Sequence, residues 1–269
     1  MVMSFLGDAT QAVMRMVQLI VVRRAPALVW RDKKSGGWVH RYRGGTVVSP
    51  TPRGRPMGLI AKDTDDVFFH AYRPTAGDVV VELGAEYGTE TVVLSKAVGP
   101  RGRVVAIEAH PWTAQLLGRT VELSSLSNVT VVNAAAVATH GSVWIENSTD
   151  ANMISNSVVA GQRTVEVEGL TLKDIAERFG LARIDLLKVN IEGAERNLFD
   201  DDALSTPQVR HAVISCHDFR AEAGDGEVFR TGEVVDKALR RHGWEVARRL
   251  GDSRPWVRHY RYASNPTDA

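Results

Sequence analysis

The 269-residue chain carries 33 Lys and Arg against 32 Asp and Glu, and 44% of it is hydrophobic. That length and apolar share fit one large α/β domain, or a domain plus an appendage, with a buried core. A single cysteine, Cys216, excludes an internal disulfide and any Cys-based zinc site, and no metal is expected.

From the N-terminus, residues 4–24 read as a helix. The apolar pattern from Phe5 to Val22 contains Asp8, Arg15 and two Gln and lacks a signal-peptide cleavage pattern, so an amphipathic helix in a cytoplasmic protein is expected. Residues 28–60 read as an irregular basic segment with strand-like pieces around Trp38 to Tyr42, and 64–72 as a second helix running into Pro74. Between Arg23 and Arg55 nine Lys or Arg face Asp32 alone. From Asp78 the pattern alternates. Strands are expected at 79–83, 103–108, 129–133, 184–189 and 209–215, with helices at 88–98, 111–124, 171–179, 193–199 and 229–242 between them. A strand-like pair, 142–146 and 164–168, flanks a polar loop at 147–162. Two extended runs, 243–249 and 255–262, follow the last helix. The expected fold is therefore a Rossmann-like, doubly wound α/β sheet, mostly parallel and closed by a C-terminal antiparallel hairpin, the layout of class I methyltransferases. The expected division is an N-terminal helical and basic arm over 1–73, a lid or dimer contact, and a cofactor-binding domain over 74–269.

The densest signal is VVVELGAEYGTETVVLSKAVGPRGRVVAIEAH, from Val79 to His110. A strand ends in Glu82, turns through Gly84 and Gly88 into a helix, and returns as a strand ending in Glu108. This unit binds an adenosine-containing cofactor at the carboxyl edge of a parallel sheet. Without a Cβ, Gly84 and Gly88 let the backbone approach a ligand closely. Glu108, 20 positions after Gly88, is spaced to accept the ribose hydroxyls. A dinucleotide fold wants G-x-G-x-x-G because a pyrophosphate sits on the helix N-terminus. Here the turn is G-A-E-Y-G, and Glu86 would face that pyrophosphate. S-adenosylmethionine has no phosphate and carries a sulfonium and an ammonium, which an acidic turn suits.

The turn VELGAEYGTET, then RVVAIEAHP, NVTVVNAAAV and IDLLKVNIEGAE, resemble in order the signatures of the FkbM family of S-adenosylmethionine-dependent methyltransferases, with a weaker echo at Ile214 to Phe219. The family reads D-x-G-A-N-x-G and K-x-D-V-E-G-A-E, so Glu82 stands for Asp, Glu86 for Asn and Asn190 for Asp. The last departure removes a group that can take up a proton. The resemblance implies cofactor contacts from Gly84, Ala85, Glu86, Tyr87 and Gly88 to the methionine moiety, with Glu82 near its ammonium. It implies Glu108 at the ribose, Ala109 and His110 along the adenosine, and Asn133, Ala134 and Ala135 at the adenine edge. Asn133 reads almost equally as a strand-end cap, and His110, before Pro111, as a helix-entry residue.

Methyl transfer to a hydroxyl benefits from a base. Lys188, Asn190 and Glu192 alternate along a strand end and so project to one side, and His217 follows the next strand. Histidine alone among these titrates near neutrality, which makes His217 the first candidate for the base, with a second-shell or capping role as the other reading. Cys216 reads as a small buried hydrophobe. The resemblance implies O-methylation of a small-molecule hydroxyl, in a sugar-containing or other secondary-metabolite intermediate. Two further readings stand beside it. One is an RNA methyltransferase whose basic arm meets phosphates while Trp30, Trp38 and Tyr42 stack on bases; the other is a cofactor-binding protein without catalysis. Asn190-Ile191-Glu192-Gly193, in place of an (Asp/Asn)-Pro-Pro-aromatic turn, weighs against base methylation, and the arm is expected instead to be a lid or homodimer contact whose aromatics pack on the core.

Overall fold

The computed structural model describes residues 28–146, 164–199 and 208–266. The expected helix at 4–24 and the loop at 147–162 lie outside the described residues. Among the described residues no helix is long and apolar enough to cross a membrane.

Strands β4 (Val79–Leu83), β5 (Arg103–Glu108), β6 (Val129–Asn133), β10 (Arg183–Val189), β11 (Gln208–Ser215), β12 (Glu245–Ala247) and β13 (Tyr260–Ser264) form one seven-stranded sheet. Its order is β12-β13-β11-β10-β4-β5-β6, and β13 alone runs antiparallel to its neighbours. The sheet is the mostly parallel Rossmann-like sheet expected. The second extended run divides into a short 3-10 turn, Pro255–His259, and β13.

Alternation along the strands explains the two covered faces. Val81, Leu83, Val105, Ile107, Leu187, Val189, Ala212 and Ile214 point to one side, against Ile175 of helix α4 (Leu172–Phe179) and Val235 and Leu239 of α6 (Gly232–Arg241). Val80, Val104, Ala106, Leu186 and Val213 point to the other. There they meet Val67 of α1 (Met57–Val67), Leu94 and Val98 of α2 (Thr89–Val98) and Leu117 of α3 (Pro111–Leu123). Helix α4 starts in a reciprocal capping box: the Thr171 hydroxyl accepts from Asp174 N–H, and the Asp174 carboxylate accepts from Thr171 N–H. A third sheet, β7-β9-β8 (Ala135–Ala136, Thr164–Leu170, Gly141–Glu146), includes the expected strand pair and adds the two-residue β7.

Two expectations fail near the N-terminus. The basic segment is an antiparallel meander, β1 (Leu28–Arg31), β2 (Trp38–Tyr42) and β3 (Gly45–Ser49). Frequent Gly and charged residues hide its period in the sequence, yet Val39 and Val48 are fully buried against Leu116 of α3. Strand β3 docks through side chains of α3 and its C-cap: Val48 N–H donates to Thr120 Oγ1 at 2.8 Å, and Ser124 Oγ donates to the Thr46 carbonyl at 2.6 Å. A bidentate pair between Arg119 and Asp32, at 2.9 and 3.0 Å, clamps the β1–β2 turn to the same helix. Helix α1 begins after Pro56, well before 64, because Met57, Ile60, Thr64 and Val67 form its buried stripe; Phe68 and Phe69 follow the helix. The stretch after β10 is a short 3-10 turn, Ala194–Asn197, and a further helix, α5 (Asp218–Glu222), follows β11.

One contact fixes where β4 and β10 open. Gly84, at φ +75°, lies so close to the loop after β10 that a Cβ would fall 1.9 Å from the Asn190 carbonyl oxygen. Gly84→Ala should therefore destabilise the fold by about 2–4 kcal/mol, combining left-handed strain with a clash against backbone. Gly118→Ala, where a Cβ meets nothing within 4 Å on α3, should stabilise by roughly 0.5–1 kcal/mol. Denaturant midpoints of the two variants check the contrast.

Candidate functional site

At the carboxyl ends of β4, β5, β6 and β10 lies a cavity lined by the Gly84-Glu86-Tyr87 turn, by Ile107 to His110, by Thr113, by Ala134 to Ala136 with Ile145, and by Asn190, Ile191, Glu192 and Ala194. Ser49, Pro50 and Thr51, just after β3, complete the wall. The turn is held from behind by Gly84 and Ala85 N–H groups, both donating to the Ile107 carbonyl at 3.0 Å.

Glu108 ends β5 inside this wall. One of its oxygens accepts Glu86 N–H and the other His110 N–H, each at 2.9 Å. Each oxygen keeps a further lone pair, so the carboxylate is oriented and still able to accept from a diol. Burial raises its pKa, partly offset by those two N–H donors. Glu86 and Glu192 both sit in the left-handed region, at φ 48° and 54°. Backbone strain of this kind costs of order 1–3 kcal/mol and concentrates where a side chain must be aimed. Glu86 is pushed up to about 8 by burial and by the nearby carboxylates of Glu90, Glu108 and Glu192, against the pull of Lys188. Three carboxylates thus face one small chamber, while Ala134, Ala135, Ala136 and Ile145 make an apolar slot beside Glu108.

Of the predicted cofactor residues, Gly84, Glu86, Tyr87, Glu108, Ala109, His110, Ala134 and Ala135 line the cavity. Four lie behind it. Ala85 is fully buried under the turn. Gly88, at φ 91°, caps α2, where a Cβ would meet Leu117 at 2.7 Å. Asn133 donates its amide to the Glu108 and Ala109 carbonyls at 2.9 and 2.7 Å, the strand-end clamp that was its other reading. Glu82 has no exposed surface and is spent on Lys188 at 3.1 Å and on the Thr91 hydroxyl at 2.6 Å. A direct contact from Glu82 to a cofactor ammonium is therefore corrected: the carboxylate positions the turn. His110 also caps α3, accepting Thr113 N–H at 3.4 Å.

The predicted reaction residues separate as well. Asn190 and Glu192 line the cavity. Lys188 is 1% exposed and points under the turn, bonding Glu82 and the Gly84 carbonyl. It does not share a side with Asn190 and Glu192, because the strand ends at Val189 and the chain then turns. His217 is not the base. Its Nδ1 meets Glu195 Oε1 at 2.9 Å and its Nε2 meets Glu192 Oε1 at 3.3 Å, so both ring nitrogens donate and no lone pair remains. Burial would lower its pKa, but the two carboxylates outweigh that and raise it to about 10. It is a buried imidazolium that, with Arg220 at 3.0 Å, holds Glu192 against the cavity. Cys216 is fully buried, and burial pushes its thiol up, as expected of a packing residue. The cavity also takes Ser49, Pro50, Thr51, Thr113 and Ile145 from outside the motifs, and Ile107, Ala136, Ile191 and Ala194 from within them, none of which the sequence singled out.

A family model described as the Methyltransferase FkbM domain matches residues 82–246. Among curated proteins the chain is 38% identical over 79 residues to AMB antimetabolite synthetase AmbE of Pseudomonas aeruginosa, a stretch amounting to 28% of this chain and 3% of the synthetase. Among solved structures it is similar to methyltransferase FkbM from Methylobacillus flagellatus KT, at 17% identity over 74% of this chain and 47% of that one, with TM-score 0.47. It is also similar to Aeropyrum pernix fibrillarin in complex with natively bound S-adenosyl-L-methionine, at 15% identity over 87% and 97% of the two chains, with TM-score 0.40. The family match takes in more than half of the chain and every cavity residue from Gly84 to Ala194, and the chain belongs to the FkbM family of methyltransferases.

Proposed function

We propose that this protein transfers a methyl group from S-adenosylmethionine to a hydroxyl of a small molecule, in a sugar-containing or other secondary-metabolite intermediate. The observation that carries the cofactor is the gathering of Glu86, Glu108 and Glu192 around one cavity beside an apolar slot. A cationic ligand with a flat aromatic end matches both: its charge would draw Glu86, whose pKa is pushed up to about 8, into the ionised form, which a pyrophosphate would not. Glu108 would hold the ribose diol, the alanines and Ile145 the adenine, and Glu86 and Glu192 the cationic end. Once bound, the cofactor supplies an electrophilic methyl on a sulfonium, and alignment by the chain can then contribute ~7–11 kcal/mol. The similarity of one stretch to an antimetabolite synthetase supports the secondary-metabolite class.

The meander argues for a wall or lid over a nucleic-acid arm. Arg31 lies over the Trp38 ring and Arg41 over Trp30, at 5.3 and 5.7 Å, so these cations and indoles already satisfy one another. Loss of catalysis is not required by Asn190 either, since carboxylates remain at Glu86 and Glu192. The cytoplasmic setting and a homodimer contact through the arm remain part of this proposal.

S-adenosylmethionine and S-adenosylhomocysteine should bind and NAD should not. Glu108→Ala should weaken S-adenosylhomocysteine by roughly 1–3 kcal/mol, the scale of hydrogen bonds to a charged acceptor. Calorimetry checks both, and tighter binding of NAD would overturn the cofactor assignment.

The His217 imidazolium also makes a pH prediction. Its pKa is about 6.5 unfolded and about 10 folded, so its contribution to stability is complete below pH 6.5 and is lost as pH rises through 10. The excess stability of the wild type over His217→Gln should be largest near pH 6 and shrink toward pH 10, each pKa unit being worth about 1.4 kcal/mol. Urea unfolding at pH 6, 8 and 9.5 measures it; a difference that grows with pH would contradict the charged assignment.

A further inference from the structure

A second cavity adjoins the first and shares Ser49, Glu86 and Tyr87 with it. Its other walls are His40, Tyr42 and Val47 of the meander, Arg53, Gly54 and Arg55 of the following loop, Ile60, and Thr89 and Glu90 at the start of α2. Resting on the methyl-transfer reading, we propose that this is the acceptor chamber. In it His40 Nδ1 receives the proton of the acceptor hydroxyl, and Arg53 holds an oxyanion elsewhere on the same molecule.

The tautomer of His40 follows from its partners. Ser49 Oγ gives its single proton to the Thr51 carbonyl at 2.8 Å. His40 Nε2 lies 2.9 Å from Ser49 Oγ and 3.0 Å from the Thr51 carbonyl, so Nε2 must be the donor. The ring is 1% exposed, and burial keeps it neutral, lowering its pKa despite the Thr51 carbonyl. Nδ1 therefore carries a lone pair, and it has no hydrogen-bond partner among the described residues. It and the Tyr42 hydroxyl converge on Gly54, where a Cβ would lie 2.7 and 2.2 Å from them. A Cβ at 54 would collide with both, so only glycine lets the loop pass this close to the lone pair. A base oriented through its far nitrogen, beside the wall shared with the cofactor cavity, is the arrangement that His217 lacks.

Charge orients the acceptor. Arg55 is paired with Asp63, whereas Arg53 has no carboxylate partner among the described residues. Glu86 and Glu90 also line this cavity and offer an anionic group no cation, so it is drawn to Arg53, and the hydroxyl is left for the Ser49 side shared with the cofactor cavity. In the step, an acceptor oxygen lone pair forms the bond to the methyl carbon and the S–CH₃ bond breaks. Its electron pair leaves on sulfur as S-adenosylhomocysteine, and the hydroxyl proton goes to Nδ1.

The first test uses the full chain saturated with S-adenosylhomocysteine, with ¹⁵N-labelled histidine and arginine, titrated with inorganic phosphate and separately with acetate. Resonances of Arg53 Nε–H and the His40 ring should shift saturably with one of the two anions and not in Arg53→Gln. Phosphate alone points to a phosphorylated acceptor and acetate alone to a carboxylate. No shift with either overturns the oxyanion assignment, whereas failure of S-adenosylhomocysteine itself to bind would sink the cofactor reading beneath it. The second test offers labelled S-adenosylmethionine with sugar phosphates or hydroxy acids, according to the anion found, against the free sugars or the methyl esters. The anionic set should be preferred at least about tenfold. On it, Arg53→Gln should raise KM with kcat nearly unchanged, and His40→Gln should lower kcat by about 10²–10⁴-fold while S-adenosylhomocysteine affinity holds. Preference for the neutral set, or full kcat in His40→Gln with native cofactor affinity, rejects the chamber as drawn.

Discussion

Everything at the sheet's carboxyl edge depends on one buried ion pair. Glu82 is the last residue but one of β4 and Lys188 the last but one of β10, and the parallel register sets them directly opposite one another. Burying both charges is costly, and such a pair is often no more stabilising than a well-packed apolar substitute. What it supplies here is direction. Burial alone would lower the Lys188 pKa, but Glu82, Glu90 and Glu86 around it raise it, so the ammonium stays charged. A second N–H goes to the Gly84 carbonyl at 3.1 Å, which ties the turn to the strand beneath, and the ammonium lies 5.1 Å from the Phe68 ring centroid. With that carbonyl tied down, the turn presents Glu86 to the chamber, and the absent Cβ of Gly84 admits the Asn190 carbonyl above.

A second charged lattice does the same for the other wall. His217 and Arg220 are cations spent on carboxylates: Glu195 accepts from His217 and from the N–H groups of Ile191 and Gly193, and Glu192 takes the other ring nitrogen and Arg220. The loop after β10 is thereby fixed at both of its acidic residues, and the left-handed backbone at Glu192 is sustained. Positive charge is buried behind the cavity, at Lys188 and His217, and carboxyl groups that a bound cation would draw into their ionised form face into it. A cavity built this way is complementary to a cation without having to fold around one.

This explains what could be read from the sequence and what could not. Strand ends and glycine turns are local: an apolar alternation stopping at Glu82, Glu108 and Asn133 marks the carboxyl edge, so the mostly parallel sheet, its closing hairpin and the residues Gly84, Glu86, Glu108 and Ala134 could be placed from pattern and resemblance. Side-chain direction past a strand end is not local. Lys188, Asn190 and Glu192 alternate in sequence, yet the strand stops at Val189, and only Asn190 and Glu192 reach the chamber. Nor could the sequence show that two glutamates, 22 and 25 positions before His217, meet its ring. The histidine near neutral pKa in isolation is the one the fold keeps charged.

The meander was hardest to read, and it changes the architecture most. Its strands are short, its charges outnumber its apolar residues on the exposed side, and its burial comes from α3, some 70 residues away in sequence. The expected division at residue 73 makes it an arm, a lid or dimer contact, beside the cofactor-binding domain. The end of the meander nevertheless lines the cofactor cavity, where Ser49, Pro50 and Thr51 share one wall system with Glu108 and Asn190. Removing the arm would open the cofactor cavity as well as the second one. The bonds that dock β3 on α3, from Thr120 and Ser124, thus have a functional consequence: they set the spacing between a wall carrying His40 and a wall carrying Glu86. Since Thr120 Oγ1 also donates to the Tyr87 carbonyl at 2.8 Å, a single threonine joins the arm, the helix and the glycine turn. The acceptor side and the cofactor side are consequently held to one another through α3 and move, if at all, as one unit.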